Sequence, residues 1–209
     1  KQPLRKKSKH CGFKLNKKID FYSHGMGYKI CFNCTHLNSN NDDGKSFHKK
    51  IYNDSNFSYE QNYLKDFNLR VNNIYLPKVD FIKNFLKEEE IDNISLLDLG
   101  SGCGHFIKAC EIRDISAKGL ESNLKMIKLG EKYIKNNSVL HSENFEDSLK
   151  IIKNGNYTII SLIAVIEHLK DPNKIFKAFK ISKNKYLFLS IPLFSLSVFI
   201  DKIFQNIYP

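Results

Sequence analysis

The chain has 209 residues, which is room for one medium-sized α/β domain and a small module but excludes two full domains. Its 42% hydrophobic and 12% aromatic residues can form a core, so a wholly disordered protein is excluded. It contains no run of about 18 apolar residues that could span a membrane, and no apolar segment typical of a secretory signal. The net charge of +11 is uneven, because residues 1–50 carry twelve Lys and Arg against three Asp and Glu.

Residues 1–50 predict a small module that has no hydrophobic core of its own. The segment is rich in Lys and Asn and poor in aliphatic residues, so it needs a cross-link or a metal ion to fold. Within it, residues 38–46 are mostly Asn, Asp, Ser and Gly and predict a loop.

Three of the five cysteines lie in this module, in a pattern typical of a zinc site. An odd number of cysteines without an export signal argues against disulfides and indicates a reducing compartment, so we expect a cytoplasmic protein. Cys31 and Cys34 have the C-x-x-C spacing that brings two sulfurs to one tetrahedral metal ion. Cys11 precedes Gly12, as in the second half of a C-x-x-C-G knuckle, but Ser8 stands where the first cysteine of that knuckle is expected.

We therefore predict a structural zinc ion bound by the three cysteines of the module: Cys11, Cys31 and Cys34. The fourth ligand stays open among three histidines: His10, His24 and His36. The alternative is three reduced cysteines on the surface of a loose segment. The other two cysteines, Cys103 and Cys110, are predicted to be small core residues.

From Tyr52 to Glu90 the apolar residues recur at spacings of three and four, which predicts helices. From Ile94 onward, short apolar strands alternate with helical segments, which predicts an α/β fold with a parallel sheet and helices on both faces. The predicted strands are Ser95–Leu99, Ala117–Glu121, Val139–His141, Tyr157–Ile163 and Tyr186–Ile191. The predicted helices are Gly104–Arg113, Asn123–Lys135, Phe145–Lys153, Pro172–Ile181 and Leu193–Ile207.

The strongest motif is a buried strand that runs into three glycines at alternate positions and then into a helix, Leu96-Leu-Asp-Leu-Gly-Ser-Gly-Cys-Gly-His-Phe106. Glycines at such a turn adopt positive φ and let a ligand approach the backbone, and the helix start adds N–H donors. The spacing is G-x-G-x-G, since His105 takes the place that a glycine holds in the dinucleotide fingerprint G-x-G-x-x-G. His105 itself could face the ligand or be solvated.

This loop resembles the first motif of class I S-adenosylmethionine (SAM) dependent methyltransferases, which have a Rossmann-like core, and the resemblance extends from about Tyr75 to Pro192. It implies that Glu121, at the end of the second strand, holds the ribose hydroxyls, and that Ser142-Glu-Asn-Phe145 contacts the adenine. The segment from Ile163 to Pro172 is similar to the E-H-x-x-D-P stretch of many small-molecule methyltransferases. The implied cofactor-binding residues are Asp98, Gly100, Ser101, Gly102, Gly104, Glu121, Asn144 and Phe145.

Three parts follow from the motifs and the resemblance. Residues 1–50 are a zinc-ribbon-like module, 51–93 a helical connector and cofactor lid that carries Tyr75 and Lys78, and 94–209 a SAM-binding core. A zinc ribbon ahead of such a core is similar to sugar C-methyltransferases and to some ribosomal RNA methyltransferases. The family's sheet usually has seven strands, so with five we expect a core that lacks its last two.

His168, after the fourth strand of the core, is the candidate general base, since its ordinary pKa of about 6.5 suits that role; the alternative is a residue that packs or caps its loop. Asp98 could instead hold the N–H groups of the loop, and Glu121 could be a surface acid.

The expected acceptor is a small molecule, a sugar or related metabolite, anionic or nucleotide-linked given the basic front segment. Two alternatives stay open: an RNA methyltransferase whose module binds RNA, and a non-catalytic protein of this fold that recruits a partner. The N-P-P-aromatic motif of base methylators is missing after the fourth strand, and aromatic residues near the lysines are few.

Overall fold

A computed structural model describes residues 3–23, 25–42, 64–135, 138–142 and 144–191. The contacts divide the chain into two units, one of which contains the described residues 3–42, and the other most of the described residues from 64 onward. The helix expected at 193–207, the connector residues 51–63 and the candidate ligand His24 lie outside the described residues.

The first unit is a small antiparallel sheet of the order β1-β2-β3. Its strands are β1 (Phe21–Ser23), β2 (Met26–Ile30) and β3 (Leu37–Ser39). The prediction of a loop from residue 38 is wrong at Asn38 and Ser39, because these residues pair with Lys29 and Tyr28 of β2, and backbone pairing overrides local composition.

The interior of the first unit is largely polar. Only two hydrophobic side chains are buried among its described residues, Leu15 and Cys31, whereas the buried polar side chains are Arg5, Ser8, Lys29 and Asn38. The burial of two hydrophobic side chains contributes only a few kcal/mol to the stability of this unit. This agrees with the prediction that the module needs a cross-link or a metal ion to fold.

The second unit is a five-stranded parallel sheet of the order β6-β5-β4-β7-β8. Its strands are β4 (Ser95–Leu99), β5 (Ser116–Glu121), β6 (Val139–His141), β7 (Ile159–Ile163) and β8 (Tyr186–Ser190). Its helices are α1 (Phe67–Arg70), α2 (Leu76–Glu88), α3 (His105–Ile112), α4 (Leu124–Gly130), α5 (Phe145–Asn154) and α6 (Asn173–Lys180), with a π-helical turn at Val71–Tyr75 and a 3-10 turn at Ile166–His168.

This sheet confirms the predicted Rossmann-like α/β fold, with every strand of the core found in the expected order. β4 and β7 are mostly apolar and are buried along almost their whole length, as expected of parallel strands covered by helices on both faces. The connector helices belong to the same core, since Val71, Val79 and Leu86 are buried with Leu96 and Phe106 in one hydrophobic cluster. No helix in the described part of the chain is long and apolar enough to cross a membrane.

Helix α4 ends at Gly130, earlier than the predicted end near Lys135. A Cβ on Gly130 would lie 2.2 Å from the carbonyl oxygen of Cys103, so the helix end abuts the glycine loop at van der Waals distance. This contact fixes α4 beside the loop.

Asn123 begins α4 as predicted, because its side chain accepts a hydrogen bond from the backbone N–H of Lys125 at 3.0 Å. We expect Asn123→Ala to lower the free energy of unfolding by about 1 kcal/mol, the usual cost of a lost N-cap. Urea unfolding measures it, with Lys125→Ala on the exposed side of the same helix as the control. Equal effects of the two substitutions would contradict the capping role.

Candidate functional site: one edge of the parallel sheet

Four candidate segments meet at the carboxyl edge of the sheet. In register, Leu99 of β4 pairs with Leu120 of β5 and with Leu162 of β7. The residues after these strands therefore lie side by side. The chain returns from the edge strand β6 to β7 on the far side of β4, which makes the gap between β4 and β7 the switch point where open α/β sheets bind ligands.

The glycine loop is held against β5 by its own backbone. The N–H groups of Gly100 and Ser101 donate to the carbonyl oxygen of Leu120 at 2.8 and 3.1 Å, and Gly104 N–H donates to Ser101 at 2.9 Å. Gly100, Gly102 and Gly104 have φ of 69°, 56° and 78°, a region that costs other residues about 1–2 kcal/mol. Contacts within the protein thus hold the loop in this conformation.

Glu121, the last residue of β5, is hydrogen-bonded to this loop. Its Oε2 accepts the N–H of Gly102 at 2.8 Å, and its Oε1 accepts the N–H groups of Ser122 and Asn123, each at 2.8 Å. The alternative of a simple surface acid is therefore wrong. A carboxylate oxygen accepts two hydrogen bonds, so Oε2 keeps capacity for a ligand hydroxyl.

The residues present fit a bound cofactor at Gly102. A Cβ there would meet only the terminal carbon of Met126, at 3.8 Å, whereas Cβ atoms on Gly100 and Gly104 would each lie 2.7 Å from a side chain, of Val165 and Ile134 respectively. Gly102 is therefore the point of the loop where a ligand can approach the backbone. Ser101 is buried, and its hydroxyl lies against Gly119 of β5.

Asp98 lies beneath the loop rather than at its surface. It is buried, and its carboxylate accepts a hydrogen bond from the Ser161 hydroxyl of β7 at 2.7 Å. Burial, together with the charge of Glu121, raises the pKa of Asp98 to about 7, and the Ser161 hydrogen bond offsets part of this rise. Sequence reasoning missed Ser161, although it is the one polar residue of the apolar strand Ile159–Ile163.

The chain bends sharply after β7. Ala164 has a φ of 54°, which is strained for a residue with a side chain, and its N–H donates to Ser190 of β8 at 2.8 Å. The bend brings Val165 onto Gly100 and starts the 3-10 turn that carries His168. The His168 side chain is 56% exposed, and its Nε2 lies 4.0 Å from Oε1 of Glu167.

Asn144 serves as the N-cap of α5. Its Oδ1 accepts the N–H of Asp147 at 3.0 Å, and its Nδ2 donates to the Asp147 carboxylate at 2.7 Å. The hydroxyl of Ser142 donates to the Asn144 carbonyl at 3.2 Å. Asn144 therefore fixes the start of α5, where Phe145 is partly buried.

His105 is buried, so the alternative of a solvated histidine is wrong. It is 2% exposed and stacks between Phe67, with ring centroids 4.2 Å apart, and Tyr75, at 5.5 Å. The stack joins the connector to the first turn of α3. Tyr75, expected on a lid over the cofactor, thus contacts the helix that begins at the glycine loop.

In the first unit, the three predicted cysteines come together. The sulfurs of Cys11 and Cys31 lie 3.5 Å apart, and all three thiols, with Cys34, lie within 4.8 Å of one another. The N–H of Phe13 lowers the pKa of the Cys11 thiol to about 6. His10 and His36 are exposed and are not among the clustered ligand atoms of the described residues. Cys103 and Cys110 are buried, which confirms them as core residues.

Comparison with known families decides the class of protein. The profile of the methyltransferase domain family matches residues 69–207, more than half of the chain. The chain belongs to this family. The methyltransferase domain thus includes the connector from Leu69 onward, the glycine loop and the segment that carries His168, and the predicted methyltransferase family is confirmed.

Solved structures similar to this methyltransferase domain include a SAM-dependent methyltransferase from Archaeoglobus fulgidus, at 26% identity and a TM-score of 0.41, which matches 58% of this chain and 57% of that one. A structure from Methanococcus maripaludis, described as an S-adenosylmethionine-dependent methyltransferase, is 14% identical with a TM-score of 0.47. The match covers 74% of this chain and 75% of that one. A SAM-bound amino-pentose methyltransferase from Micromonospora echinaspora is 16% identical with a TM-score of 0.48. The match covers 66% of this chain and 57% of that one. The chain thus spans a little over half the length of two of these proteins. No curated protein matches it significantly.

Proposed function

We propose that the protein transfers a methyl group from SAM to a small-molecule acceptor, a sugar or related metabolite. The observation that carries the proposal is the hydrogen bond from Gly102 N–H to Glu121 Oε2. It joins the one open position of the glycine loop to a carboxylate that can accept ribose hydroxyls. When bound, SAM supplies an electrophilic methyl group on a sulfonium ion.

The chain's own residues bind and orient that group. Gly102 gives access to the backbone, Glu121 receives the ribose, and Asn144 and Phe145 border the adenine. Gly100, Ser101 and Gly104 hold the loop in shape, and Asp98 stands beneath it. Rigid positioning matters here because in-line methyl transfer depends mainly on orientation.

We assign His168 the role of general base toward an acceptor hydroxyl or amine. Its turn lies at the same sheet edge as the glycine loop, its ring is open to a ligand, and Glu167 lies 4.0 Å away, where it can stabilise the imidazolium. The segment offers an imidazole and a carboxylate in place of the aromatic wedge of base methylators, which favours a small acceptor.

The N-terminal unit completes the proposal. We propose that Cys11, Cys31 and Cys34 bind a structural zinc ion, because three thiols converge in a unit with few buried hydrophobic side chains. The excess of Lys and Arg in residues 1–50 attracts an anionic acceptor such as a nucleotide-linked sugar.

The function is tested by incubating the zinc-loaded protein with methyl-labelled SAM and separate pools of nucleotide-linked sugars, free sugars and structured RNA. We expect label in a sugar pool. Label in RNA alone would contradict the small-molecule acceptor and indicate an RNA methyltransferase. SAM binding without label in any pool would indicate the non-catalytic alternative.

With the acceptor known, His168→Gln tests the general base. We expect kcat to fall about tenfold, less than the ~10²–10⁴-fold that general bases typically contribute, because solvent partly replaces an exposed imidazole. The acidic limb of the pH–rate profile should disappear, while SAM affinity measured by calorimetry stays unchanged. An unaltered pH profile would exclude the role.

A further inference from the structure

We infer that Ser8 supplies the fourth ligand of the zinc site, through its side-chain oxygen. The inference deepens the zinc proposal made above and rests on it. It replaces His10 and His36, which the sequence put forward for the same position.

The first argument is the backbone. Ser8 and Cys11 stand at the ends of one turn, in which Ser8 N–H donates to Phe13 at 2.7 Å and Gly12 N–H donates to the Ser8 carbonyl at 3.0 Å. Cys31 and Cys34 end a second turn, in which Cys31 N–H donates to His36 at 3.0 Å and Thr35 N–H donates to the Cys31 carbonyl at 2.7 Å. The two turns have the same hydrogen-bond pattern, and Ser8 occupies in one the place that Cys31 occupies in the other.

The residue after each turn repeats the same backbone conformation. Gly12 has a φ of 72° and Thr35 a φ of 56°, both in the left-handed region. Thr35 adopts it although a threonine there is strained. The two knuckles are thus alike in geometry and differ chiefly in one ligand atom, oxygen for sulfur.

The second argument is distance. With Zn–S bonds of about 2.3 Å and a Zn–O bond of about 2.1 Å, tetrahedral angles separate two sulfurs by about 3.8 Å and a sulfur from an oxygen by about 3.6 Å. Ser8 Oγ lies 3.6 Å from Cys34 Sγ, and Cys11 Sγ lies 3.5 Å from Cys31 Sγ. Both of these distances agree with the values for one tetrahedral site, and the three sulfurs lie within 4.8 Å of one another.

The third argument is burial. Ser8 is 4% exposed, in contrast to the exposed His10 and His36. The buried Ser8 hydroxyl lies against the Cys34 thiol, and a metal ion bound between the two atoms would give each a stronger partner than their mutual hydrogen bond. A neutral oxygen in place of a thiolate leaves the zinc complex with one negative charge rather than two, and a weaker fourth bond.

Cobalt tests the inference, because Co²⁺ takes tetrahedral zinc sites and its absorption reports the number of thiolates. We expect the wild type to bind one Co²⁺ or Zn²⁺ per chain. Ser8→Cys should increase the thiolate-to-cobalt absorption by about one third, from three thiolates to four, and shift the d–d bands to longer wavelength. Its zinc affinity, measured by chelator competition, should rise about tenfold, and that of Ser8→Ala should fall.

Ser39→Cys is the matched control, since it adds a thiol to the same unit at a residue whose hydroxyl donates to Asn41 and lies outside the cluster. It should leave the cobalt spectrum unchanged. A spectrum that Ser8→Cys does not alter, in a protein that binds one metal ion, would overturn the inference and leave the three-cysteine site standing. A wild-type protein that binds neither Co²⁺ nor Zn²⁺ would overturn both the zinc site and the role of Ser8 in it.

Discussion

Gly102→Val is expected to weaken SAM binding by about 100-fold or more, which corresponds to about 3 kcal/mol. A side chain at this position projects into the open space beside the loop, where the cofactor approaches the backbone. It also strains the positive φ and disturbs the N–H that Glu121 Oε2 accepts. Calorimetry with SAM measures the loss directly.

The matched control for this substitution is Gly25→Val. Gly25 also has a positive φ, 74°, and open space around its Cβ position, but it lies in the turn between β1 and β2. It should impose similar backbone strain and leave SAM affinity unchanged. Glu121→Gln provides a second variant of the site that keeps the loop sterically intact. Wild-type affinity in both Gly102→Val and Glu121→Gln would exclude this loop as the cofactor site.

The stability of the methyltransferase domain is expected to fall by on the order of 3 kcal/mol as the pH rises from about 4 to about 7, through Asp98 alone. The pKa of Asp98 is raised to about 7 in the folded protein, above its ordinary value of about 3.9. Below pH about 4 the acid is protonated in both states and folding carries no penalty. Between the two pKa values only the unfolded chain ionises, so stability is lost.

Asp98→Asn should remove this dependence, because the amide oxygen can still accept the Ser161 hydrogen bond without a charge. The free energy of unfolding is measured in urea for the wild type and for Asp98→Asn. The two proteins should have similar free energies at pH 4.5, and the variant should be the more stable of the two at pH 8. The exposed Asp92→Asn, just before β4, is the control and should change little at either pH. A wild-type-minus-variant difference that is constant with pH would contradict the raised pKa.

Elements whose evidence is local could be predicted from the sequence. β4 and β6 have the predicted bounds, because an apolar run that ends at Gly100 and a short apolar pair before His141 each indicate where the strand lies. Asn123 was recognisable as a cap from its type and position. β3 was missed, since Leu37–Ser39 has the composition of a loop and is a strand only because β2 lies beside it.

The parts of the site that were missed depend on residues far apart in the chain. His105 is buried by Phe67 and Tyr75, which the sequence places about 30 or more residues earlier, and nothing near His105 indicates them. The pairing of Asp98 with Ser161 spans 63 residues. The glycine loop itself was predictable because its positive φ angles require the three glycines that stand in the loop.

The strand order has a consequence for how the protein folds during synthesis. The glycine loop and Glu121 belong to one strand–helix–strand unit, Ser95–Glu121, whose pairing is local and can form early. The other neighbour of β4 is β7, whose Ile160 pairs with Leu97 and leaves the ribosome some 60 residues later. Until then the central strand has an open apolar edge, so the nascent chain passes through a stage in which the loop is formed but its sheet can still pair with the wrong strand. Chaperone dependence should therefore be greatest between the synthesis of β5 and that of β7.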